Sequence, residues 1–183
     1  MLLLAGLTTT AQTGHLTFKG IPIDGTLNEF VGKLKQKGFK LIHSEQDIAL
    51  LEGDFATYRG CTVGVIATGS GVVRRVGVTF PDKDTWSSLY SNYSKLKEML
   101  TQKYGAPVDI TEEFQGYSAP RDDNNRMHEV RMDRCKYICD FATDNGVIEL
   151  KILHDGFSKC YVMILYVDAE NESKAQSSAI DDL

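Results

Sequence analysis

Basic runs are missing from this sequence. Its 20 Lys and Arg residues are scattered among 25 Asp and Glu, giving a formal charge of −5, and without a cationic stripe neither nucleic acid nor an anionic membrane surface is an expected partner. No stretch approaches the ~18 consecutive apolar residues that span a bilayer. A Gly-x-Ser-x-Gly nucleophile elbow is absent too, and Thr68-Gly69-Ser70-Gly71 leads into a strand pattern rather than a helix that could receive a phosphate on its first turn. His128, Cys135, Cys139 and His154 have the residue types of a zinc site. Cys-x3-Cys within an alternating strand pattern, however, spreads the thiols instead of turning them together. Asp122-Asp123-Asn124-Asn125 lacks the acidic alternation, central Gly and terminal Glu of a calcium loop, and reads as an Asx turn or helix N-cap. No residue is therefore assigned to catalysis, to a metal or to a cofactor, and a non-enzymatic role is expected.

What the sequence does contain is an internal echo. Asp54-Phe55-Ala56-Thr57 returns 86 residues later as Asp140-Phe141-Ala142-Thr143, and the same offset carries Gly60 to Gly146, Ile66 to Ile152 and Asp82 to Asp168. Around each copy the pattern is one amphipathic helix followed by short strands. Thr26 with Glu29 forms a capping box ahead of the stripe Leu27, Phe30, Val31 and Leu34, which Gly38 ends. Strand patterns follow at 39–43, 48–56, 61–68 and 72–80. A second helix, about Asp84 to Tyr104, carries Trp86, Leu89, Tyr90, Tyr93, Leu96, Met99 and Leu100 at helical spacing. Strands at 134–142, 147–154 and 159–167 come next, with Asp144-Asn145-Gly146 and Asp155-Gly156 as hairpin signals. The predicted fold is α+β, with two tandem units of one helix packed on an antiparallel sheet. The units run at about 15–71 and 72–168, and some twenty extra residues of the second fall within Val108–Arg134. One mismatch stands against the repeat: Cys61, Val63, Val65 and Ala67 face opposite to Ile148, Leu150 and Ile152 at that offset, which a one-residue bulge would correct.

The ends read differently from the middle. Residues 1–11, with Leu2-Leu3-Leu4-Ala5-Gly6-Leu7 ahead of Thr9 and Ala11, resemble the end of a signal peptide cut before Gln12, which predicts a periplasmic or secreted protein. Residues 12–168 form one domain, and residues 169–183 read as a mobile acidic tail. Four cysteines suit export without requiring disulfides, and Cys135 and Cys139, about 13 Å apart along a strand, cannot bridge each other. Cys160–Val167 is apolar on both faces and predicts an interior strand.

The polar insertion holds the candidate binding residues Phe114, Tyr117 and Arg121, because aromatic and arginine side chains on loops are enriched in contact surfaces; the same loop could instead cover the sheet. Trp86 is read as a core anchor. Arg74 falls on the apolar parity of its strand, which a buried ion pair, a strand end or a bulge would resolve. His15–Thr26, Leu96–Gly105 and Met132-Asp133-Arg134-Cys135 together resemble a family of small exported bacterial proteins without assigned activity. In architecture the tandem helix-and-sheet units are similar to the β-lactamase inhibitor protein, whose concave sheet grips a partner. The resemblance implies an exported module that binds a protein or peptide, its partner another envelope or secreted protein. The alternatives are a small-molecule binder or hydrolase with convergent charges near Arg59 and Arg74, and a homodimer.

Overall fold

Local sequence signals seed the architecture. In the computed structural model, which describes residues 14–116, 119–156 and 158–181, a tight turn at Lys19 and Gly20 pairs β1 (Thr17–Phe18) with β2 (Ile21–Pro22). Thr26 then caps α1 (Leu27–Gln36): its Oγ1 accepts from the Glu29 N–H at 3.3 Å and the Glu29 carboxylate accepts from the Thr26 N–H at 3.1 Å. Leu27, Phe30, Val31 and Leu34 form the buried face of this helix, each side chain contributing about 2 kcal/mol through area removed from water. Four strands follow, β3 (Lys40–Glu45), β4 (Ile48–Phe55), β5 (Tyr58–Ala67) and β6 (Val73–Thr79), and then α2 (Trp86–Tyr104), capped by Thr85 and stopped by Gly105 at φ +89°. The remainder is β7 (Asp109–Phe114), α3 (Asp123–Arg131), β8 (Cys135–Thr143), β9 (Gly146–Asp155), β10 (Lys159–Asp168) and α4 (Ala169–Asp181).

The fold is α+β: the described residues form four helices, a two-stranded sheet, and one continuous antiparallel sheet of eight strands in the order β3-β4-β5-β6-β10-β9-β8-β7. Helix α1 lies on β3, β4 and β5, whereas α2 and α3 lie on β8, β9 and β10. Period-2 alternation makes this possible, since Cys160, Val162, Ile164 and Tyr166 of β10 are buried while Tyr161, Met163, Leu165 and Val167 are half-buried on the other face. That other face carries a row running Leu50, Gly64, Gly77, Leu165, Glu149, Asp140 across six neighbouring strands. Burial, and then the carboxylates of Glu149 and Asp109, push the Asp140 carboxyl above its ordinary range. Among the described residues no helix is long and apolar enough to cross a membrane.

A one-residue bulge lies at the first hairpin. Gly53 pairs with Cys61 but Phe55 with Tyr58, so β5 holds one extra residue at Arg59-Gly60, where Gly60 adopts φ +65° and donates its N–H to Asp54 Oδ1 at 3.2 Å. The corresponding hairpin of β8 and β9 runs without a shift. Arg74 also sits at a bulge, bracketed by the pairs Ile66–Arg75 and Ala67–Val73.

Two expectations need correction. The segment read as a mobile tail is helix α4 through Asp181, and its first turn is tied down. Asp168, fully buried, accepts from the Asn171 N–H at 2.9 Å as N-cap, and from the Leu16 N–H at 2.7 Å. The Asn171 amide donates to Ile23 O and Val73 O, both at 3.0 Å, and Glu172 receives the guanidiniums of Arg74 and Arg75. The second correction concerns the insertion. It contributes edge strand β7 and helix α3, whose Met127 and Val130 are buried, rather than a loop throughout.

Candidate binding site

Trp86 and Tyr90 stand four residues apart on α2, so they share one face and stack with ring centroids 5.6 Å apart and planes 20° apart. The edge of the sheet brings two more rings to them. Phe114 ends β7, directly opposite Cys135, and Tyr137 lies two pairs further along, opposite Glu112, and so on the same face. Trp86 meets Phe114 at 5.0 Å and Tyr137 at 5.1 Å, and Tyr137 meets Tyr90 at 5.9 Å with planes 88° apart. Such tilted and edge-on pairs place the positive rim of one ring against the negative face of another, worth about 1 kcal/mol each beyond burial.

These rings line a cleft of about 520 Å³ together with Ser87, Ala119, Pro120 and Arg126. Trp86 is only 6% exposed, while Tyr90, at 42%, presents its ring to solvent. Helix α3 fixes the outer wall. Asp122 caps it, accepting from the Asn125 N–H at 2.8 Å, and Asp123 accepts from the Ser87 N–H at 3.1 Å and from its hydroxyl at 2.8 Å. The bond from the Ser87 backbone holds the Asp123 carboxyl below its ordinary range. Beneath the rings, Tyr93 donates to Glu112 at 3.0 Å, and Lys97 pairs with the same carboxylate at 2.5 Å. Burial pushes the Tyr93 and Tyr137 hydroxyls above their ordinary range, so both stay protonated at neutral pH. The cleft can therefore offer ring faces, one guanidinium and neutral hydroxyls, a lining suited to gripping an apolar or aromatic side chain.

Of the three residues chosen from sequence, Phe114 is part of this cleft. Arg121 is exposed on the loop just beyond Pro120 and outside the lining. Tyr117 lies outside the described residues. Trp86 is the anchor expected, and it is also a wall of the cleft. Tyr137 and Arg126 were missed, because only the β7–β8 register and the packing of α3 bring them near Trp86; Tyr90 was read as part of the buried stripe, although it faces out.

Charge does not converge as the small-molecule alternative requires. Arg59 opens β5 and Arg74 lies opposite its far end, so the two are separated by the length of that strand. A larger cleft of about 910 Å³ beside α4 is lined by Arg74, Asp24, Lys174, Ile48 and Ile66 among others. Its cations are engaged: Arg74 holds Glu172 at 2.9 Å and Lys174 holds Glu170 at 2.6 Å. All four cysteines are free and buried, and burial raises each thiol, Cys135 up to about 12, so none is a ready nucleophile at neutral pH. Among the described residues no group of three His, Cys, Asp or Glu is placed to hold a metal ion.

No protein-family model, curated protein or solved structure matches this chain.

Proposed function

We propose that this chain is an exported, non-enzymatic binding module that grips an apolar or aromatic side chain of another envelope or secreted protein in the ring-lined cleft at the head of α2. The observation that carries the reading is the half-open cluster of Trp86, Tyr90, Phe114 and Tyr137. It is drawn from three elements, braced by α3, and left with the Tyr90 ring in solvent. Rigid aromatic anchors beside polar groups are the composition of binding hot spots. The scaffold reading is a duplicated unit, one helix and four strands, repeated as α1 with β3–β6 and α2 with β7–β10. Its support is the mirrored strand order, with β6 and β10 meeting at the centre, and the bulge at Arg59-Gly60, which brings Cys61 and Val63 into line with Leu150 and Ile152. This grouping assigns β6 to the first unit.

Trp86 is the sole tryptophan of the chain and so reports on the cleft. The test is capture from envelope and culture extract of the source cell by the chain from Gln12, followed by titration of the purified captured protein against Trp86 fluorescence. A partner that shifts the emission, and that Tyr90→Ala loses while Arg59→Ala keeps, supports the reading. Capture indifferent to Tyr90, or titration that leaves Trp86 unchanged, overturns it. A second reading, a small-molecule binder, rests on the larger cleft beside α4 and would show as ligand protection of α4 with Trp86 silent. Pairing of two copies through β3 is less favoured, since that edge is interrupted by a bulge between Leu41 and His43, a device that opposes edge-to-edge association.

A further inference from the structure

On the side of α2 away from the rings lies a depression of about 440 Å³ lined by Tyr58, Lys83, Ser87, Ser88, Ser91, Asn92 and Lys95. Helical spacing explains its composition, because Ser88, Ser91, Asn92 and Lys95 fall on one side of the helix, facing the first hairpin. The lining contains no carboxylate. Neither Lys83 nor Lys95 has an ion-pair partner among the described residues; Asp82 and Asp84 flank Lys83 in sequence without pairing to it, and Asp123 is engaged with Ser87. Ser88 accepts from Thr85 at 2.9 Å and keeps its own proton to donate. Burial holds the Tyr58 hydroxyl protonated and able to donate.

Asn92 is the informative residue. It is 3% exposed, yet neither its Nδ2 nor its Oδ1 has a hydrogen-bond partner among the described residues. An unpaired buried amide costs about 1–3 kcal/mol, and the position is on the inward stripe of α2, three residues after Leu89 and four before Leu96, where an apolar side chain would otherwise sit. The two lysines, the hydroxyls and the amide N–H call for anionic oxygens, whereas Asn92 Oδ1 calls for a donor. Hydrogen phosphate has both, oxygens that accept and a P–OH that donates; sulfate at neutral pH has only acceptors. The helix adds to this, because α2 carries no acidic side chain in its own first turn, while α1, α3 and α4 each do, and the partial positive charge of a helix N-terminus favours an anion.

We propose that this depression is a phosphate site, with Lys83 and Lys95 balancing the charge, Ser88, Ser91 and Tyr58 donating to phosphate oxygens, and Asn92 donating through Nδ2 and accepting the P–OH through Oδ1. The site lies on the other flank of α2, shares only Ser87 with the ring-lined cleft, and stands whether or not that cleft binds protein.

The test follows the side-chain amide resonances of Asn92 in the isotope-labelled chain from Gln12, titrated at pH 6.5 and constant ionic strength with sodium phosphate, sodium sulfate and glycerol 3-phosphate. Saturable shifts are expected with phosphate, with sulfate at least about tenfold weaker, because a site built to bond a hydroxyl discriminates against the analogue without one. Lys83→Gln with Lys95→Gln is expected to weaken phosphate by at least about tenfold while leaving the spectrum of the core intact. Tighter binding of glycerol 3-phosphate than of free phosphate would support the site and place the phosphate on an organic ligand. Equal response to sulfate and phosphate, or no shift of the Asn92 amide at millimolar phosphate, overturns the proposal.

Discussion

Helices α1 and α2 begin alike and serve differently. Each is capped by a threonine and each lies on one end of the sheet. But α1 completes its cap with its own Glu29 and buries an unbroken apolar stripe, whereas α2 leaves its first turn without an acid of its own and interrupts its stripe with Asn92. Helix α1 is fully explained by what it covers. Helix α2 is not, since one flank holds rings half open to solvent and the other holds cations and a buried amide without partners among the described residues. The first half bends local rules too, at the bulges of Arg59-Gly60 and Arg74, but there Gly60 bonds to Asp54 and Arg74 to Glu172; on α2 the departures are what the two proposed binding sites rest on.

Substitutions beneath the two helices should separate these roles. Phe30→Ala removes a fully buried ring under α1 and is expected to cost about 4 kcal/mol, seen as a lower urea midpoint, with the phosphate response of the folded protein unchanged. Asn92→Leu should go the other way. Replacing an unpaired buried amide by an apolar side chain of similar size is expected to add about 1 kcal/mol while abolishing the phosphate response; a loss of stability at this site would mean that α2 is as purely structural as α1.

How much of this contrast is readable from residues alone depends on how local it is. The capping box at Thr26, the first-half strands and the Asx cap at Asp122 are set by neighbours within a few residues, and their signals are plain in the chain. Strand β7 is hard to see because Asp109–Phe114, at the edge of the sheet, is exposed at all but its last residue and shows no alternation. Helix α4 is harder still: its anchors Asp168, Asn171 and Glu172 bond to Leu16, Ile23, Val73, Arg74 and Arg75, partners far away in sequence, while its own composition is small and polar. Arg74 combines two of the readings its parity allowed, a bulge and an ion pair. In the cleft, Trp86 and Tyr90 are visible at their helical spacing and Phe114 by its place in the insertion, but Tyr137 joins them only through the register of β7 with β8. Asn92 left a signal, a polar residue at a stripe position between Leu89 and Leu96.

The smallest expected effect concerns α4, which packs on β6, β9 and β10. The guanidiniums of Arg75, and then Arg74, hold the Glu172 carboxyl below its ordinary value of 4.5. A depressed folded-state value stabilises the folded form above that ordinary value, and the contribution fades as pH falls through the folded-state one. Amide protection in α4 is therefore expected to drop at low pH by about 1 kcal/mol, ahead of global unfolding. Glu172→Gln should remove this pH dependence, and protection that fell equally in the variant would assign it to other carboxylates.

The pairing of β6 with β10 has a consequence in time. The middle of the sheet is sealed by β10, the last of its eight strands in chain order, and Asp168, which fixes Leu16 and His15, is made with it. Until β10 is made, β3–β6 wait with one flank unpaired, so a product cut short before β10 is left with an open, adhesive seam for proteases to find.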